Sequence, residues 1–174
     1  GATLDPMVSR RPRVMIANVG NFHTLAFRLG VERQIEGVFE HHTGLLDLPK
    51  LEGLLCALAN GSLQHADVFD DHGHGALIYG DEALPLGEGA FDVVVTGPRR
   101  NMLRMTEDRE PKTDSSFPPP RLRPYFPAPY GDMMIAGCFG LLAAVADVLP
   151  ELGESIRASL RGAGGRGTPP WEIE

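Results

Sequence analysis

Residues Arg13–Thr43 read RVMIANVGNFHTLAFRLGVERQIEGVFEHHT. Arg13–Val19 is nearly continuous in apolar residues, the pattern of a strand covered on both faces. Phe22–Leu29 alternates, with Phe22, Thr24, Ala26 and Arg28 on one face and His23, Leu25, Phe27 and Leu29 on the other. Gly30 turns the chain, and Val31–His41 reads as a third strand. Connections this short make consecutive strands antiparallel neighbours. The stretch therefore predicts a three-stranded meander at the start of an α/β domain with a mixed sheet.

Beyond it, Asp47 predicts a helix cap with Pro49 in the first turn, and Leu51, Leu54, Leu55, Leu58 and Ala59 follow at helical spacing. Asn60-Gly61 ends that helix. Asp67–Gly75 is dense in Asp, His and Gly, and a short apolar run, Ala76–Tyr79, follows it. Phe91–Thr96 predicts a second core strand, whose β-branched run suits a parallel or mixed sheet. Arg99–Met105 reads as the start of a helix, and 107–120 as a mobile loop. Asp132–Leu149 predicts a long, nearly all-apolar helix buried against the sheet, stopped by Pro150, with a short helix over Glu151–Leu160. The expected organisation is a disordered or exogenous stretch over 1–11, one α/β domain over 12–160, and a flexible tail over 161–174. The start at Gly1 reads as a cloning remnant or an internal cut.

The 174 residues carry a formal net charge of -7 and are 43% apolar. An acidic chain with scattered arginines is a poor partner for nucleic acid, whose affinity rests on clustered Lys and Arg. No uncharged apolar run approaches the ~18 residues of a membrane span. Two cysteines, Cys56 and Cys138, read as buried free thiols, which favours a reducing, cytoplasmic setting. They are too few for an iron–sulfur cluster, which takes about four thiolates. The sequence sets no oligomeric state.

Four constellations could carry chemistry. The turn at Gly20-Asn21, flanked by Asn18, His23 and Thr24, could cradle a phosphate or another small anion. Asn and Gly also supply turn geometry with no ligand at all. The histidines form a second set: His41, His42, Asp71, His72 and His74, with His23, could hold a divalent transition metal. That requires the 70–75 loop to fold back beside the third strand. The bland alternative is a solvated, glycine-rich loop. Third, Thr96-Gly97 ends a buried strand, where ligands gather in open α/β sheets. Fourth, Asp132 opens the long helix, as a cap or as a ligand contact.

The order of elements resembles one half of the actin-like ATPase fold, the ribonuclease-H-like half found in sugar kinases, heat-shock ATPases and hydantoinase-like proteins. More narrowly, ANVGNFHTLAF, EHHTG, VVVTGPRRNML and GDMMIAGCFGLL are similar to a prokaryotic domain of unknown function, often labelled as pyruvate formate-lyase activating enzyme. The similarity covers roughly residues 12–149. The actin-like resemblance implies ATP with Mg as the ligand. It places Gly20, Asn21, His23 and Thr24 at a phosphate turn, and Thr96 and Gly97 at a nucleoside turn. The usual acidic residue before the phosphate turn is Asn18 here, and the usual double glycine is Gly97-Pro98. The resemblance also implies a partner, an N-terminal half-domain absent from this chain. A fragment of this kind binds without turning over substrate. A metal-dependent enzyme and a non-catalytic interaction domain are the alternatives.

Overall fold

A computed structural model describes residues 1–80, 82–104, 121–128 and 136–162. The meander forms as the alternation predicts: β1 (Val14–Val19), β2 (His23–Leu29) and β3 (Ile35–His42) pair antiparallel in sequence. β3 begins four residues later than the sequence suggests. The Gly30 N–H donates to the Gln34 carbonyl, and Arg33 adopts a positive φ, so this turn consumes Val31–Gln34. β4 (Gly75–Ile78) adds antiparallel to β3, and β5 (Val93–Thr96) lies parallel to β1. A two-residue strand, β6 (Pro124–Tyr125), pairs parallel with β5. The mixed sheet has the order β4-β3-β2-β1-β5-β6.

Five helices occur among the described residues: α1 (Pro6–Ser9), α2 (Leu48–Asn60), α3 (His65–Phe69), α4 (Ala136–Val148) and α5 (Pro150–Gly162). Asp47 caps α2 by accepting from the Lys50 N–H at 2.9 Å, and Gly61 closes it in the left-handed conformation. Where the sequence suggests the start of a helix, the described residues form a 3-10 turn over Arg100–Leu103.

α2 covers one face of the sheet. On that face Met15, Ala17, Val19, Thr24, Ala26, Phe39 and His41 are all buried. Arg28 is buried among them. Its guanidinium donates to the Leu58 and Ala59 carbonyls at 3.2 Å, and to the Gly80 carbonyl. A cation at the C-terminal end of α2 satisfies carbonyls the helix leaves unpaired and complements its dipole. Glu36 lies 3.7 Å from the Arg28 Nε and 2.5 Å from Arg13, so the buried charge is balanced.

β6 is fastened by a bidentate pair. The Arg123 Nε and Nη2 each donate to Asp92 at 2.9 Å, and the Arg123 and Gly87 N–H groups donate to the same carboxylate. Desolvation works to raise the Asp92 pKa, but these donors hold it below the ordinary carboxylate value. Phe91 stacks on Tyr125 with centroids 5.0 Å apart.

The chain divides into two compact units, Pro12–Tyr125 and Gly1–Arg11 with the residues from Phe126 onward. The first holds the sheet, α2 and α3. In the second, residues 1–11 carry a 3-10 turn (Ala2–Leu4) and α1. Phe139 of α4 packs with Leu4 and Leu160. Among the described residues of α4, Ala136, Phe139 and Ala146 are buried. Within its unit α4 packs against α5 and the N-terminal 3-10 turn. The expectations for 107–120, 163–174 and Asp132 lie outside the described residues. Among the described residues, no helix is long and apolar enough to cross a membrane.

Candidate functional site

The carboxyl ends of β1 and β5 lie side by side, because these strands are parallel and Asn18 pairs in register with Thr96. The Thr96 hydroxyl reaches the Asn18 Oδ1 at 3.3 Å. Gly97 follows with φ +95, a conformation that side chains rarely adopt. A Cβ there would lie 2.4 Å from the Val19 carbonyl oxygen and 2.6 Å from the Asn18 Oδ1. The Arg99 N–H then donates to the Val19 carbonyl at 3.0 Å. Asn18, Thr96 and Gly97, singled out separately in the sequence, thus form one knot.

The β1–β2 turn starts at the same end. The Gly20 N–H donates to the His23 carbonyl at 3.0 Å, so this donor is spent inside the hairpin. A side chain at Gly20 would sit 2.6 Å from that carbonyl oxygen, so glycine is needed for the close approach. Asn21 is exposed at the tip, beside Phe22, which is 80% exposed.

Register sorts the histidines onto two faces. His23 pairs with His42, and Thr24 with His41. Thr24 and His41 turn into the buried face. There the Thr24 hydroxyl shares a hydrogen bond with that of Thr43 at 2.9 Å, away from the surface that carries His23. His41 is fully buried, with Nε2 3.0 Å from the Asp71 Oδ2 and Nδ1 3.1 Å from the His42 carbonyl. Lys50 of α2 adds an ion pair to Asp71 at 2.7 Å. The Lys50 hydrogen bond is the main cause that lowers the Asp71 pKa, with His41 helping and desolvation opposing.

His23 and His42 share the other face, and His74 joins them. Gly75 pairs with Glu40, and the His74 N–H donates to the Glu40 carbonyl at 2.9 Å, so the loop folds back along β3. The three rings form a triangle with centroids 4.8, 5.1 and 4.8 Å apart. One nitrogen from each ring lies within 4.8 Å of the others. Loss of hydration lowers the His42 pKa, and repulsion from His74, His23 and His41 adds to it, against attraction from Glu40. The centre of this cluster favours neutral imidazole, the form that binds metals.

The structure therefore separates the predicted metal set. His41 and Asp71 belong to a buried ion-pair network with Lys50, while His42 and His74 meet His23. His72 is exposed in a left-handed conformation (φ 65) and does not join the triangle. Sequence alone assigns His23 to the anion turn first. The signal that places it with His42 is the count of residues through two hairpins, which fixes the cross-strand pairing.

No curated protein and no solved structure matches the chain. Residues 1–102 match the sequence model of a family described as "Putative pyruvate format-lyase activating enzyme (DUF1786)". That span runs through β5 and includes both the strand-end knot and the histidine triangle. An iron–sulfur cluster typically takes about four cysteine thiolates. Cys56 and Cys138 do not supply that donor set. With more than half its length matched, the chain belongs to the DUF1786 family.

Proposed function

We propose that the α/β unit is one half of an actin-like domain. In this reading it binds a small anionic ligand, a phosphate or the phosphates of a nucleotide, at the carboxyl ends of β1 and β5. The observation that carries the reading is the junction of Asn18, Thr96 and Gly97 at the ends of two parallel strands. In sheets of this type ligands collect at strand carboxyl ends. The order of elements also supports it: a meander, then α2, then a strand parallel to β1 that ends in glycine.

The ligand meets the Asn18 and Asn21 side chains, His23, and the Thr96-Gly97 turn. The Gly20 N–H and the Thr24 hydroxyl, both already engaged, take no part. Asn18 offers an amide in place of a carboxylate, so Mg arrives with the nucleotide and is not held by this strand end. Alone, the unit binds and does not turn over.

Calorimetric titration of the metal-free chain with phosphate, ADP and ATP–Mg tests this. The expected result is saturable binding that weakens at least about tenfold, ~1.4 kcal/mol, in Asn18→Ala with Thr96→Val. Absence of binding to all three ligands contradicts the reading and leaves a non-catalytic interaction domain. For the metal-enzyme alternative, the ligand group that converges among the described residues is His23, His42 and His74, while His41 and Asp71 bond to each other. The triangle that does converge has its own consequence.

A further inference from the structure

We propose that His23, His42 and His74 bind one divalent transition-metal ion of the zinc class. Three imidazoles meet on one side of the sheet, with one nitrogen of each within 4.8 Å of the others. Imidazole suits zinc, nickel, copper and iron, and three histidine ligands with an open position are the pattern of a reactive metal rather than a closed structural one. A metal sits about 2.0–2.1 Å from each ligating nitrogen, so the nitrogens must draw together by around 1 Å or slightly more. The rings are free to do this, since His23 and His74 are exposed and His42 is half-buried.

The backbone beneath them is fixed. His23 and His42 are cross-strand partners, and His74 is tied to β3 through the Glu40 carbonyl. A purely structural explanation is weak. Ring contacts of this kind give about 0.5–1.5 kcal/mol at best. Among the described residues no carboxylate belongs to the converging group, so the site selects a borderline metal over Mg or Ca, which take oxygen ligands. Water or an exogenous oxygen ligand fills the remaining position.

The test uses the full chain without a histidine tag, stripped of metal and titrated with Co(II), then with zinc in competition. No anionic ligand is added, so the outcome is independent of the phosphate reading. The expected result is one cobalt per chain with visible d–d bands, displaced by zinc. Even partners that only support a ligand are worth 10–100-fold in metal affinity, so His23→Ala and His74→Ala should each lose more than about 100-fold. Because both side chains are exposed, these variants keep the fold, which circular dichroism checks. His72→Ala, next but one to His74, should bind as the parent does. The proposal is overturned by absence of binding at micromolar cobalt, by unchanged affinity in His23→Ala and His74→Ala, or by an equal loss in His72→Ala.

Discussion

At the scale of single residues, one-position differences in register decide what each histidine does. His41 and His42 are sequence neighbours, yet one lies under α2 and the other beside His23. The lowered His42 pKa has a definite sign. The unfolded chain takes up a proton near pH 6.5. The folded chain resists until a lower pH, because the ring loses hydration and His74, His23 and His41 add repulsion. The unfolded state thus binds more protons in that window, and stability falls as pH drops below about 6.5. Melting temperatures from pH 8 to 5 should show this decline, and His42→Gln should flatten it. An equally steep decline in that variant would contradict the assignment. Gly97 gives a second residue-scale prediction. Gly97→Ala places a Cβ 2.4 Å from the Val19 carbonyl oxygen at φ +95, and should cost about 1–3 kcal/mol in urea unfolding. The sequence marks Asn18, Gly97 and the histidines as candidates by residue type. It does not reveal that His74 reaches His42, because that contact depends on Gly75 pairing with Glu40.

At the scale of elements, legibility follows the length of the pattern. β1, β2 and α2 announce themselves through alternation, helical spacing and the Asp47 and Gly61 caps. α3 spans five residues and begins from Gln64, too short for periodicity to register. β6 is two residues held by the Asp92–Arg123 pair, a long-range contact with no local signal. Asp92→Asn should therefore loosen β6 and cost about 2 kcal/mol, the size of a charge-assisted hydrogen bond lost in a mostly buried place. Its depressed pKa also predicts that this contribution is present above about pH 4 and is lost as pH falls through the lower folded value. Arg28 fastens α2 to the sheet. Arg28→Ala removes donors from the Leu58, Ala59 and Gly80 carbonyls and should cost about 3 kcal/mol or more. A smaller loss in chemical denaturation would show that water replaces the guanidinium.

At the scale of the whole molecule, all converging site residues fall within Pro12–Tyr125, inside one compact unit. The class of sheet follows from residues 13–43 and 91–96, since a meander followed by a β-branched strand leads to a mixed sheet. The division at Tyr125 falls in a proline-rich stretch, FPPPRLRPYFPAPYG, whose composition marks a break in periodic structure but not the position at which one unit ends. The strand-end knot and the histidine triangle lie on one sheet, linked through the β1–β2 turn that separates Asn18 from His23. The most direct measurement is amide chemical-shift mapping of the 15N-labelled, metal-free chain during addition of phosphate and of ADP. The account predicts saturable shifts centred on Asn18, Asn21, Thr96 and Gly97. Shifts centred elsewhere on the sheet, or no shift with either ligand, would contradict it.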